Sequence, residues 1–462
     1  MKTHTLVSTI VMLLAIVAPD IKAQKTSSAD YLRRSMPENW SYSSDVETVL
    51  PSDDQWWKSF DDPVLDSLIS IGIDNNFNLD QASRRREIAR LTMQQAKSAY
   101  YPTLQVSAGY ERRRTAGVNS NVYSLGADMS WEIDVFGKIN ENVKAKKAAY
   151  KASRAEYVSA MISMTAQIAT YYVNFRVLQA QEAIAHEHME SQTKVLKIVE
   201  TRHETGLVSK LDVAQAKTVY YQTKATLPQI TVSMRETINV LSILLGVYPE
   251  AIAPMLERPM PLPAYERIVP AGVPMNLLRR RPDIVSAEAQ LAMYASEIGI
   301  AKKDFLPTLT LDGSIGFQSG DFDKMFGHQG FYYTVAPTLS WTIFDGFERK
   351  YAVSQAKEQM QIGIDNYNLV VMTAVSEINN AMAEYQASVE TYEADKNVYE
   401  QSTEAFDLSM DQYKSGLSAF TPVVDAQMDW LTTANSMATA KGNAVIALID
   451  LYKALGGSPV QF

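Results

Sequence analysis

In the stretch YSLGADMSWEIDV at positions 123–135, every second residue is apolar: Tyr123, Leu125, Ala127, Met129, Trp131, Ile133 and Val135. The residues between them, Ser124, Gly126, Asp128, Ser130, Glu132 and Asp134, are small or acidic. Three further segments alternate in the same way, with Leu104, Val106, Ala108 and Tyr110 in the first, Leu309, Leu311, Gly313, Ile315 and Phe317 in the second, and Tyr333 through Ile343 in the third. A period of two is the signature of a strand with two unlike faces. A soluble sheet turns its apolar side to a core and rarely lines carboxylates along the other side without cations between them. Each run has roughly the 9–11 residues that a tilted strand needs to cross a bilayer. The apolar face therefore reads as lipid-facing. The other face, carrying Asp128, Glu132, Asp134 and Asp312, reads as the wall of a water-filled lumen. Tyr110, Tyr123, Trp131, Phe331, Tyr333 and Trp341 lie near the strand ends, where interfacial aromatic belts form.

Four strands cannot close a barrel, and an open sheet edge is not viable in lipid, so one chain must pool its strands with copies of itself. Two chains would supply eight strands, whose interior side chains fill. Three would supply twelve and leave room for a channel, which favours a trimer.

The rest of the composition agrees with a secreted chain that enters a membrane through strands. Residues 1–23 carry Lys2, an apolar run from Leu6 to Ala18 and a small residue at Ala23, the layout of a cleavable signal peptide. No later stretch of about 18 apolar residues is present, so no transmembrane helix is expected and strands must make the crossing. The chain has no cysteine, which excludes disulfides, thiolate chemistry and acylation of an N-terminal cysteine. A net charge of −9, with basic clusters limited to the triplets 84–86, 112–114 and 279–281, excludes a nucleic-acid footprint.

The chain also repeats itself. AKSAYYPTLQVSAGY (96–110) returns as AKKDFLPTLTLDGSI (301–315), an offset of 205 positions. Beyond the strands the offset becomes 210, for Trp131/Trp341, Gly206/Gly416, Leu207/Leu417 and Gly246/Gly456, as a tandem duplication with one loop insertion would leave. Each half starts with a helix (64–98 and 275–303), passes through two strands, and enters a long stretch rich in helix formers. Residues 138–203 contain neither Pro nor Gly and span about 100 Å as a helix. Gly206 breaks that helix before a second one over 209–245. The second half repeats the plan over 349–415, Gly416 and 419–455. Gly363 is a potential bend. The expected division is a signal peptide (1–23), an N-terminal periplasmic segment (24–61), a first repeat (62–248), a proline-rich surface linker (249–274) and a second repeat with the C-terminal segment (275–462).

Several motifs carry a resemblance that covers nearly all of the mature chain. They are WWKSFDDPVLDSLI (56–69), LLRRRPDIVSAEAQL (277–291) followed by IGIAKKDFLPTLTL (298–311), TGLVSKLDVAQA (205–216) with its counterpart SGLSAFTPVVDAQ (415–427), and ALGG (454–457). On these the chain resembles the TolC-type outer-membrane efflux proteins, in the branch that works with resistance-nodulation-division pumps. The resemblance implies a membrane α+β fold: a homotrimeric twelve-stranded outer-membrane β-barrel, four strands per chain, continuing into a long periplasmic α-helical barrel. It implies a passive exit duct, with no enzymatic activity and no cofactor. The implied partners are a periplasmic adaptor, an inner-membrane pump of the resistance-nodulation-division type, and outer-membrane lipid.

The resemblance also transfers positions by their distance from the turn glycines. Asp212, Tyr413 and Asp425 match the periplasmic gate, and Asp212 reads equally as a helix-start acid at the positive dipole end. Gly206, Leu207, Ser209, Gly416 and Leu417 match the hairpin tips where adaptors dock, and the glycines also read as plain turn geometry. Ser418 and Pro422 depart from the gate pattern, where TolC has arginine and aspartate. Gln24 stands where many relatives carry an acylated cysteine, so barrel insertion alone is expected to hold this chain. The alternatives are an outer-membrane duct for type I secretion or metal-ion efflux, a general porin, and a soluble coiled-coil scaffold. In AHEHMES, His186 shares a helix face with Glu182 and Glu190. Without a third nitrogen ligand, this cluster reads as a solvated helix face rather than a metal site.

Overall fold

The computed structural model describes residues 55–263 and 281–457. The expected signal peptide, most of the N-terminal segment and residues 264–274 of the expected linker lie outside the described residues. A 3₁₀ turn over Trp56–Phe60 leads into α1 (Pro63–Asn75) and α2 (Phe77–Ser98). Then come β1 (Thr103–Thr115), β2 (Val118–Ile133), α3 (Lys138–Glu204) and α4 (Lys210–Leu245). After α5 (Pro249–Leu256), the plan resumes with α6 (Pro282–Lys303), β3 (Thr308–Ser319), β4 (Phe331–Ser340), α7 (Glu348–Lys414) and α8 (Thr421–Ala454).

Helices α3 and α7 are each 67 residues long, about 100 Å, and run without a break. Gly363 does not interrupt α7. A Cβ there would lie 2.7 Å from the ring of Tyr294 on α6, so the glycine permits close helix packing.

The helix expected over 64–98 is two helices. Asn76 sits in an extended conformation between them, and its side-chain oxygen accepts from the N–H of Leu79 at 2.8 Å, capping α2. Its amide donates to the Leu244 carbonyl at 2.7 Å, which ties the break to the end of α4. At the other side of that contact, Gly246 has φ 66°, and a Cβ would lie 2.2 Å from the Asn75 carbonyl oxygen. A local cap competes with continuous helix, and a tertiary hydrogen bond decides the outcome.

The residues around this junction are fully dry. Leu65, Leu68 and Ile69 of α1 are fully buried, as are Ile168 and Tyr172 of α3 and Leu241 and Leu245 of α4. The Asp62 carboxylate caps α1, accepting from Val64 N and Leu65 N, and also accepts the Tyr172 hydroxyl at 2.5 Å. Residues 249–256 were expected as surface linker but form α5, with Ile252 and Leu256 buried. The proline-rich composition hid this because Pro249 stands at the first helical turn, where no N–H is needed. The buried Arg176 donates to the carbonyls of Arg258 and Leu256, and Gln179 also donates to Leu256, so the end of α5 is capped from α3.

Arg281, in the RRPD motif, joins three helices. It pairs with Asp283 at 2.7 Å and with Glu377 of α7 at 2.5 Å, and it donates to the Ala454 carbonyl at the end of α8 at 2.6 Å. A planar guanidinium with five donors suits such a three-way junction.

His186 and Glu190 are exposed, as the reading of a solvated face expects, whereas His188, two positions along from His186, faces inward. It is buried on the α3 stripe Ala185, His188, Gln192, Val195, Val199, and its ring lies 3.8 Å from that of Trp430 on α8. Trp430 stacks in turn on Phe406 at 5.0 Å. The neighbouring Gln192 donates to Thr223 of α4 at 2.8 Å. Burial holds His188 neutral, with its pKa lowered to about 4. Glu190, on the solvated side, is paired with Lys194.

Two outcomes are expected from this packing. Gly246→Ala forces both a left-handed alanine and a backbone clash, and should destabilise by about 2 kcal/mol or more. Gly206→Ala meets open space and should cost about 1 kcal/mol, so the apparent melting temperatures in detergent should rank wild type, Gly206→Ala, Gly246→Ala. For His188, folded and unfolded chains are both neutral above about pH 6.5. As pH falls toward 4 the unfolded chain takes up a proton that the folded chain excludes, so stability drops across that window and levels off below it. His188→Phe should flatten that portion of a melting-temperature-against-pH curve.

Candidate pore wall and hairpin tips

The four strands form one antiparallel sheet in the order β1-β2-β3-β4. Its register aligns the separate alternations into two continuous faces. One rung runs Val106, Ala127, Ile315, Tyr333; the next runs Leu104, Met129, Gly313, Val335. Because side chains alternate across the pleat, a slip of one residue in any strand would have mixed the faces. Among the described residues the apolar face is largely uncovered: Leu104 is 75% exposed, Val106 76% and Tyr333 72%.

The opposite face collects the acids. Gln105, Asp128, Ser314 and Thr334 share one rung, Thr103, Ser130, Asp312 and Ala336 the next, and Glu132, Thr310 and Thr338 another. Asp312 accepts from the Ser130 hydroxyl at 2.7 Å. Asp134 is not part of this face. It lies beyond the end of β2, and its carboxylate accepts from the N–H groups of Ile139 at 3.0 Å and Asn140 at 2.9 Å, capping the start of α3. Strict alternation placed it on the polar face; the helix that begins at Lys138 with four free N–H groups claimed it.

The aromatics divide into two sets. At the end remote from the helices, Tyr110 and Tyr123 face each other with ring centroids 4.8 Å apart, and Tyr123 also meets Phe322 of the β3–β4 loop. Phe331 adjoins both Phe317 and Tyr333 in the same tier. At the helix end, the indole of Trp131 donates to the Tyr100 carbonyl at 3.1 Å and that of Trp341 to the Phe305 carbonyl at 2.9 Å. Trp341 lies just past β4, which ends at Ser340 rather than at Ile343 as the alternation suggested. Both indoles lock the point where a helix becomes a strand. Around them, Lys303 donates to the Gly137 carbonyl, Lys138 pairs with Asp304, and Arg349 pairs with Asp345 while donating to the carbonyls of Asp304 and Thr342.

At the other end of the helices the two tips are built alike. Gly206 has φ 74° and Gly416 φ 73°, the left-handed conformation that ends a helix. The next residue's N–H bonds back in each case, Leu207 to the Arg202 carbonyl at 2.8 Å and Leu417 to the Gln412 carbonyl at 2.9 Å. Leu207 and Leu417 then point outward, 69% and 81% exposed. Ser209 starts α4, exchanging hydrogen bonds with Asp212.

Beneath the tips, Val195 and Val199 of α3, Ala216 of α4, Phe406, Met410 and Tyr413 of α7, and Val423 and Trp430 of α8 pack with Phe420 into one apolar cluster. Tyr413 is thus buried, with its hydroxyl unpartnered. Burial, reinforced by the field of the Asp212 carboxylate, pushes its phenol above the usual range. Of the three expected gate residues, the fold brings Asp212 and Tyr413 into electrostatic reach, while Asp425 lies exposed on α8.

Sequence reasoning missed Arg202. Its guanidinium donates to the Tyr413 carbonyl at 2.6 Å and the Lys414 carbonyl at 3.1 Å, and lies 4.7 Å from the centre of the Tyr413 ring. It therefore caps the C-terminal end of α7 from the last turn of α3. A basic residue in a final helical turn was a visible signal, but it points to that helix's own dipole rather than to a neighbour. Among the described residues no cluster of His, Asp and Glu able to hold a metal ion occurs, and no single helix is long and apolar enough to cross a membrane.

Comparison with known proteins places this architecture. The chain matches the outer membrane efflux protein family over residues 68–247 and again over 273–457. It is 28% identical over 420 residues to the solvent efflux pump outer membrane protein SrpC of Pseudomonas putida, covering 89% of this chain and 88% of that one. It is 27% identical over 418 residues to nodulation protein T of Rhizobium leguminosarum bv. trifolii, covering 88% of each. Among solved structures, the outer-membrane channel OprN superposes with a TM-score of 0.83 at 28% identity, over 91% of this chain and 97% of that one. The open state of the Neisseria gonorrhoeae MtrE outer membrane channel gives 0.81 at 27% identity, over 92% and 96%. An in-register two-faced sheet carried on 67-residue helices, shared with these channels over nine-tenths of the chain, makes this protein a member of the outer membrane efflux protein family, an outer-membrane exit channel of the tripartite efflux type.

Proposed function

We propose that three copies of this chain close one barrel by pairing β4 of each with β1 of the next, and that the resulting duct receives its cargo from an inner-membrane pump of the resistance-nodulation-division type through a periplasmic adaptor. The observation that carries this reading is the sheet itself. Its apolar face is bare, its acids share the other face, and β1 and β4 are each paired on one side only. In lipid, every unpaired backbone group costs several kcal/mol, so closure with copies is compulsory, and twelve strands leave a lumen where eight do not.

In this assembly Asp128, Glu132 and Asp312 line the barrel lumen, while Tyr110, Tyr123, Phe331, Tyr333, Trp131 and Trp341 lie at its two lipid interfaces. The division into repeats at 62–248 and 275–462 is supported by the two blocks of the family match and by the equal lengths of α3 and α7. The exposed Leu207 and Leu417, with Gly206, Ser209 and Gly416 shaping their turns, form the surface offered to the adaptor. Asp212, Tyr413 and Asp425 form the periplasmic gate. Ser418 and Pro422 contribute no charge to it. Arg202 holds α7 against α3 by hydrogen bonds to carbonyls, so a main-chain clasp supplies closed-state contacts that side-chain ion pairs do not.

Reconstitution of the full chain into planar bilayers tests the reading. Arg202→Gln removes a charge-assisted contact of about 1 kcal/mol or more per chain and should raise single-channel conductance, as should Asp425→Ala. Unchanged conductance in both would remove these residues from the gate. Neutralising Asp128, Glu132 and Asp312 together should lower the preference for cations over anions, read as a shift in reversal potential under a salt gradient. An unaltered reversal potential would mean that these carboxylates do not face the conducting path.

A further inference from the structure

The outward face of the first hairpin changes character beyond its tyrosines. On β1 the residues sharing the face of Leu104, Val106, Ala108 and Tyr110 are Arg112 and Arg114, two and four positions further along. Their cross-strand partners on β2 are Asn121 and Asn119. The apolar face thus ends at the Tyr110–Tyr123 pair and continues as two arginines and two asparagines. All four polar residues are exposed.

The arginine between them behaves differently. Arg113 lies on the other face, where its guanidinium pairs with Glu111 at 3.6 Å. Among the described residues, Arg112 and Arg114 have neither an ion pair nor a side-chain hydrogen bond. The Tyr110 hydroxyl occupies the side-chain oxygen of Asn121 at 3.3 Å, which leaves the amide N–H groups of Asn121 as free donors. The patch is also rigidly mounted. A two-residue turn at Ala116 and Gly117, both with positive φ, closes the hairpin one rung beyond Arg114. Residues two apart on a strand lie about 7 Å from each other, so the two guanidinium groups can hold one anionic group between them or contact two neighbouring ones.

We propose that Arg112 and Arg114, with Asn119 and Asn121, bind the phosphate groups of the glycolipid in the outer leaflet of the membrane. The proposal rests on the reading of the apolar face as lipid-facing. Given that face, the hairpin end lies opposite the periplasmic helices, and donors just beyond an aromatic tier stand at headgroup depth. Guanidinium groups recognise phosphate with paired, charge-assisted hydrogen bonds, and among the described residues of the chain no carboxylate pairs with either arginine. A hairpin tip kept basic only for solubility would gain nothing from leaving the outward arginines unpaired while neutralising the inward one. The adjoining β3–β4 loop carries Asp321, Asp323 and Lys324, with Lys324 paired to Asp321, so the unpaired positive charge is confined to the first hairpin.

The test uses the full-length protein purified in detergent, with lipopolysaccharide as the probe and the bound amount measured by native mass spectrometry. The wild type should retain the lipid. The double variant R112Q/R114Q should bind it about 25-fold more weakly, about fivefold per arginine, and R113Q should match the wild type. R112K/R114K, which keeps both charges without the paired geometry, should fall between them. That variant decides the matter if the glutamine pair does not insert. Dephosphorylated lipopolysaccharide and inorganic phosphate at equal concentration should not compete. Equal binding by R112Q/R114Q and wild type, an equal loss in R113Q, or competition by inorganic phosphate would each overturn the proposal. Bilayer conductance of the same preparations separates the two readings. R112Q/R114Q should conduct as wild type does; a wild type that conducts but retains no lipid overturns the lipid site alone, whereas one that does not conduct overturns the channel assignment.

Discussion

The strands β1 and β4 each spend only half of their backbone hydrogen-bonding capacity inside the chain, and the sheet they bound leaves one apolar face uncovered. In water this would be an aggregation surface, and in lipid the free N–H and C=O groups would be prohibitively expensive. Much of the remaining structure follows from accommodating that sheet. The segregation of acids on one face and the aromatic tiers at its ends suit four strands placed where only a closed cylinder is stable, and the proposed association of copies answers the same demand.

The helices must then meet the sheet without fraying where the solvent changes from lipid to water. The structure concentrates polar contacts at that seam. Two indoles donate to main-chain carbonyls, Asp134 caps α3, and Lys138, Lys303 and Arg349 tie the ends of the neighbouring helices together. Farther along, a second set of arginines serves the same need for helix ends. Arg176 caps α5, Arg281 caps α8 and Arg202 caps α7, each reaching from an element other than the one it caps. Long helices have few ends, and this chain satisfies them with donors from neighbours, which fixes the relative positions of the helices as well as their lengths.

Much of this is legible in the sequence. The period-two segments located all four strands, and the stretch free of Pro and Gly located α3 to within a residue at each end. The tips at Gly206 and Gly416 were visible because a left-handed turn demands glycine. Other features were not legible, for identifiable reasons. The break at Asn76 depends on a hydrogen bond to Leu244, 168 residues away in the chain. His188 sat among charged neighbours in AHEHMES, and only the packing of α8 against α3 placed it beneath Trp430. Asp134 continued an alternation faithfully, yet the strand had already ended. Arg202 had a local role to suggest and a distant one to play.

Local pattern along the chain set the kind of element each segment forms and the side most strand residues take, because periodicity, helix propensity and turn chemistry act between near neighbours. The sequence also carries the argument for the proposed association of copies, since four membrane strands cannot satisfy their own edges. The tertiary structure alone decided the register that merges four alternations into two faces, the partners of the buried arginines, and the burial of Tyr413 and His188. Those outcomes depend on contacts between residues tens to hundreds of positions apart, whose strength is set by geometry that no local pattern encodes.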